Sequence, residues 1–264
     1  FGWDSSFTFS ANKNEIVDLV KDYVHPETGK TYNVDKLELK TDEGRGFGKA
    51  KFILKEGGTL GDLYTHADLK RDINGNVLID DSGNVTAIDN AGDIKLGSVL
   101  PKANLAWNNS FSYKGINAGF LLTARLGGIV YSATQAYLDL YGVSETSAAA
   151  RDAGGVWING RSRVNPQSFY EVVASQSGLP TYYTYSATNL RLQEAHIGYT
   201  VPRRWLGNVC DINVSLVGRN LWMIYCKAPF DPEAVATTNN YYQGIDYFMM
   251  PSTRNIGFNI KINF

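Results

Sequence analysis

Residues 253–264 read TRNIGFNIKINF. Ile256, Phe258, Ile260, Ile262 and Phe264 fall on one side of a two-residue repeat. Asn255, Gly257, Asn259, Lys261 and Asn263 fall on the other. A period of two marks a β-strand with unlike faces. Two structures meet that description. One is a half-buried strand of a soluble sandwich. The other is a strand of a membrane barrel, with lipid on one side and a wet lumen on the other.

The same alternation recurs upstream. In WDSSFTFSA, 3–11, Trp3, Phe7 and Phe9 oppose Asp4, Ser6, Thr8 and Ser10. In ANLAWNNSFSY, 103–113, Ala103, Leu105, Trp107, Phe111 and Tyr113 share a face, with Asn109 as the one intruder. The two-residue turn Lys114-Gly115 then leads into INAGFLLTARL, 116–126, a strong hairpin signal. NLRLQEAHIGYTV, 189–201, changes phase: Leu190 and Leu192 set one alternation, Ala195, Ile197, Tyr199 and Val201 the other. Such a change predicts a bulge near Gln193-Glu194. CDINVSLVGRNLW, 210–222, is a sixth segment, and GDLYTHADLKR, 61–71, is a weaker seventh.

Composition narrows the class. The chain has 264 residues and a formal net charge of -1, so no overall basic field points to nucleic acid. Mean hydropathy is -0.23, and no apolar run approaches the ~18 residues of a membrane helix. Alternating strands escape that test, so a β-barrel stays open. The polar faces are rich in Asn, Ser, Thr and Gly, where a solvent-facing sandwich usually carries many Lys and Glu. The apolar faces end in aromatics: Tyr113, Tyr199 and Phe264 at one end, Trp222 at the other. Long and short connections alternate, as they do in outer-membrane barrels. On this parity the C-terminus is periplasmic and the long loops are extracellular. Segment 12–60 breaks the parity, because it puts a long connection on the periplasmic side.

The loops carry the binding candidates. In 127–188, residues 133–141 and 145–152 read as short helices. FDPEAV, 230–235, places Asp231 and Glu233 where they would meet a substrate or a partner; the alternative is a turn fixed by Asp231-Pro232. Tyr241, Tyr242 and Tyr247 would stack on sugars or pack against peptides, or simply pack the loop. Arg125 and Arg219 take lumen-facing parity, where a charge is tolerated. Nothing supports catalysis. His25, His66 and His196 are scattered, and no metal-spacing motif, phosphate loop or GxSxG elbow occurs. If 210–222 is one extended strand, its ends alone stand ~40 Å apart at about 3.3 Å per residue, so no bridge between Cys210 and Cys226 is expected. No cofactor is implied.

The ordered set LRLQEAHIGYTVPRRWL, INVSLVGRNLWMI, FDPEA, QGIDY and NIGFNIKINF resembles the C-terminal end of SusC/RagA-type TonB-dependent outer-membrane transporters. FTFSANKNEIVDL and LGSVLPKANLAWNNSFSYKGINAGFLLTARLGGIVYS resemble the strands before it. The resemblance implies an all-β fold: the C-terminal strands, about seven, of a 22-stranded transmembrane antiparallel barrel. Residues 1–264 would then be the C-terminal portion of the barrel, without the plug domain and the N-terminal barrel. It implies active, TonB-driven import of an oligosaccharide or oligopeptide. Its implied partners are a SusD-like surface lipoprotein lid, the TonB complex acting through the missing N-terminal part, outer-membrane lipid and the barrel-assembly machinery, which would read Phe264. Against the family's DxNxDGxI turn, this chain has DINGNVLID, 72–80. Asp72, Asn74 and Asn76 keep a calcium-like spacing, but Val77 replaces the turn glycine and Gly83 the last acidic ligand, which favours a plain polar turn. The rival readings are a soluble β-sandwich carbohydrate-binding module and a passive porin-like barrel.

Overall fold

A computed structural model describes residues 1–39, 47–207, 209–237 and 243–263. Six long strands form one antiparallel sheet: β1 (Gly2–Ala11), β2 (Ala103–Tyr113), β3 (Ile116–Leu126), β4 (Asn189–Val201), β5 (Asp211–Cys226) and β6 (Asn255–Asn263), paired in chain order. The pairing keeps the predicted faces together. Trp3 lies opposite Phe111, Phe111 opposite Ala118, Ala118 opposite Ile197, Ile197 opposite Leu216, and Leu216 opposite Phe258. This apolar face is open: Phe7, Ile197, Leu216 and Phe258 are all more than half exposed. In a sandwich such a face would be buried against a second sheet.

Local chemistry sets the strand ends. Lys114 and Gly115 both have positive φ, 47° and 87°, as a two-residue type I′ hairpin requires. The bulge falls at Gln193: Leu122 pairs with Leu192 while Leu121 pairs with Glu194. One extra residue therefore puts Leu190, Leu192, Ala195, Ile197 and Tyr199 on one face. A second irregularity follows in β5, between Arg219 and Trp222, where Asn220 has φ 51°.

Two polar residues on the apolar face are paired off. Ser5 lies opposite Asn109. The Trp3 indole donates to Asn109 Oδ1 at 3.1 Å, and the Trp107 indole donates to Ser5 Oγ at 3.0 Å. The intruder Asn109 is buried under its own cross-strand neighbours.

Segment 61–71 corrects the seventh expected strand. It forms two short strands, Asp62–Thr65 and Asp68–Leu69, outside the main sheet. Residues 12–102 are thus one connection between β1 and β2. The broken parity disappears: connections 12–102, 127–188 and 227–254 all leave from one end of the sheet. The turns 114–115 and 202–210 lie at the other.

The three long connections build a body over their end of the sheet. Its strands include a four-stranded sheet (Lys36–Glu38, Ala50–Lys55, Asp62–Thr65, Ile94–Ser98) and a three-stranded one in which Ile129–Ser132 lies between Thr184–Ser186 and Ile245–Asp246. Helices α1 (Ala133–Leu140), α2 (Glu145–Asp152) and α3 (Pro166–Val173) are capped by Ser132, Ser144 and Asn165. One apolar core draws Phe52, Leu63 and Val99 from the first connection, Tyr131, Phe169 and Leu179 from the second, and Ile245 from the third.

Candidate functional site

The third connection is fastened to the polar face of the sheet. Arg191, on β4, lies opposite Thr123 and is 5% exposed. Its guanidinium grips Asp231 with both terminal nitrogens, at 2.7 and 3.2 Å, and reaches Glu233 Oε2 at 3.3 Å. Asn189, two residues earlier on the same face, donates to Glu233 Oε1 at 3.1 Å. A fork gripping a carboxylate fixes orientation as well as charge. Asp231 also accepts the Glu233 backbone N–H at 3.0 Å, and the Ala234 N–H bonds the Asp231 carbonyl at 3.1 Å. FDPEA is therefore both a turn and a clasp. Burial works against the Asp231 charge, but Arg191 and the Glu233 N–H hold its carboxyl below the usual range.

The clasp extends to the far end of this third connection, 227–254, which forms a strap over the sheet. Asn220, in the β5 irregularity, accepts from Arg191 Nη1 at 3.4 Å and donates to the Thr253 carbonyl at 3.2 Å. A cavity of about 390 Å³ lies between strap and sheet, lined by Asn220, Met223, Phe230, Asp231, Ser252 and Arg254. Arg254 makes no ion pair among the described residues. Arg191 escaped the sequence reading although its signal was present. It stands between Leu190 and Leu192 with the same inward parity that singled out Arg125 and Arg219.

The other candidates scatter. Arg125 lies opposite Asn189, and its Nη2 donates to the Val99 carbonyl at 2.8 Å, tying β3 to the body. Arg219 pairs with Glu194 across the sheet at 3.0 Å. Tyr247 packs against Phe47 with ring centres 4.5 Å apart and planes tilted by 39°, has Tyr137 and Phe248 beside it, and yet remains 44% exposed. Tyr241, Tyr242 and Phe264 lie outside the described residues. Asp72 spends its oxygens on its own turn, accepting from the Asn74 and Asn76 N–H groups at 2.8 Å each and from the Asn76 amide at 3.1 Å. Asp80 repeats the pattern with Ser82 and Asn84. The two turns share the pattern D-x-x-G-N-V, at 72–77 and 80–85, which the calcium comparison passed over. Cys210 and Cys226 are unbridged and flank one strand.

A charged network covers one face of the four-stranded sheet, where no motif pointed. Asp93 joins Lys36 at 2.6 Å, His66 at 2.9 Å and Lys55. Glu38 pairs with Lys51, and Asp62 with Lys95. Lys55 and Lys95 both stand over the Tyr64 ring. Lys36, then Lys55, hold Asp93 well below the ordinary carboxylate range, and Lys51 lowers Glu38. The cations are matched by acids, so the network reads as a brace. His25 receives backbone N–H bonds in its own turn, and His196 covers Gly119. No group of three or more metal-binding side chains occurs among the described residues.

No family model matches the chain. Over 288 residues, 99% of the chain, it is 24% identical to TonB-dependent receptor P3 of Formosa agariphila. Over 289 residues it is 25% identical to TonB-dependent receptor P26 of the same organism. It spans 27% of the length of each. Two solved structures share the fold at 16% identity: the RagAB peptide importer in its closed-closed state, TM-score 0.59, and the RagAB peptide transporter, TM-score 0.61. Each superposition covers 99% of this chain and 27% of the other. Over nearly its whole length the chain thus resembles TonB-dependent receptors in sequence and the RagAB importer in fold.

Proposed function

We propose that the chain forms wall strands and part of the extracellular vestibule of a TonB-driven importer in the bacterial outer membrane. It carries a nutrient inward, an oligopeptide or oligosaccharide, and works beneath a SusD-like lipoprotein lid. The observation that carries this reading is the asymmetry of the sheet. One face is apolar and open, the other is polar, and every long connection among the described strands leaves from one end. Strands of 9–16 residues suit a bilayer, since a barrel strand needs about 9–11. The sheet would be part of a 22-stranded wall, with the short turns periplasmic. On this reading the chain shapes the path of the solute and holds the strap.

Uptake tests this directly. Cells making the full-length transporter should accumulate a labelled oligopeptide or oligosaccharide pool, and deleting TonB should abolish the accumulation. Uptake that persists without TonB would favour a passive porin instead.

A further inference from the structure

We infer that Arg191, with Arg125 beside it, is a carboxylate-binding site that Asp231 and Glu233 occupy from within the chain. A carboxylate-bearing solute would reach it through the 390 Å³ cavity and displace the strap. This rests on the import reading only in that a solute passes along the polar face.

The geometry is that of a ligand held in a receptor. Arg125 and Arg191 lie on adjacent strands, two residues apart in register and on one face. Each has a buried Nε with no hydrogen-bond partner. A guanidinium has five donors, and the strap leaves some of them unused. The two carboxylates come from residues two apart on a strap and seat on Arg191 and Asn189, both wall residues, while Asn220 accepts from Arg191. Asp231 and Asn220 also line the cavity, so the clasp is one wall of it. At the cavity Arg254 supplies a second cation with no ion pair among the described residues. A cavity of this size falls in the range of small-molecule sites. An incoming carboxylate would meet Arg254, then compete with Asp231 for the Arg191 fork. Charge is conserved in the exchange, because one carboxylate replaces another. A neutral solute offers no such replacement and leaves the strap fastened.

The full-length transporter in detergent tests this, with glutarate as the probe and its neutral dimethyl ester as the control at equal ionic strength. Glutarate should speed amide hydrogen exchange across 229–236 at least fivefold, and the ester should not. The D231N/E233Q variant removes the internal occupant. If the strap is closed nine-tenths of the time or more, its glutarate affinity should rise about tenfold or better. Equal action by the ester, no effect of glutarate on exchange, or no gain in affinity in a folded D231N/E233Q variant would each overturn the site. Should that variant fail to fold, the wild-type exchange comparison decides alone. Glutarate binding without TonB-dependent uptake would count against the import reading and leave this site standing. Uptake without glutarate binding would do the reverse.

Discussion

Replacing Ile256 by arginine should cripple the protein, while Asn259→Arg, three residues away on the same strand, should be nearly silent. Ile256 lies on the apolar face opposite Gly218, and Asn259 on the polar face opposite Ser215. Ile260 shares a row with Val214 and Tyr199, at the aromatic end. From Ile260 to Ile256 is four residues, about 14 Å along a strand at ~3.4 Å each. A strand tilt near 40° reduces that to about 10 Å along the membrane normal, close to the middle of a ~25 Å apolar band. An arginine facing lipid there costs about 3 kcal/mol, within the ~2–4 measured at a bilayer midplane. That is roughly a 100-fold shift in the folding equilibrium at ~1.4 kcal/mol per tenfold. The polar-face variant should cost under about 1 kcal/mol. Urea titration of the full-length protein in lipid vesicles, followed by heat-modifiable gel mobility, reads both. Equal destabilisation by the two would refute the assignment of the faces.

Deleting Gln193 removes the bulge that reconciles two alternations; Leu190 and Leu192 then turn inward and Arg191 outward, and outer-membrane levels should fall to background. Gly244→Ala should loosen the body: Gly244 has φ 65°, and an added Cβ would stand 2.6 Å from Val99 Cγ1, so about 1–3 kcal/mol should be lost, seen as faster proteolysis in 227–254. Asp231, Glu38 and Asp93 all have native pKa values below their unfolded ones. Their contribution is complete above the unfolded value of roughly 4 and fades as pH falls through the depressed ones. Amide exchange in the strap and the four-stranded sheet should therefore accelerate below about pH 4, ahead of the wall.

The wall was legible because its information is local. Alternation fixed the faces, Lys114-Gly115 fixed a hairpin, and the phase change at Gln193 announced its own bulge. The body was not, because its strands are two to six residues long and find partners far away in sequence. Residues 61–71 alternate poorly because both faces are covered: Asp62, Leu63, Tyr64 and Thr65 are all buried, as are Asp68 and Leu69. Helices α1 and α2 showed in the sequence; α3 did too, through Asn165 and Pro166 at its start, but that cue was passed over. Asp231 was visible as a turn residue, whereas its grip on Arg191 spans 40 positions. The charged brace around Asp93 likewise joins residues from four separate segments.

The shared core of the three long connections bears on how such a protein can be re-engineered. Phe52, Tyr131 and Ile245 come from different connections and bury one another's neighbours. Exchanging a single loop for that of a relative would strip the other two of packing partners and leave a void in all three. A change of specificity by grafting would have to move 12–102, 127–188 and 227–254 together, as one discontinuous cassette. The strand pairs that hold its six ends would be the only fixed points.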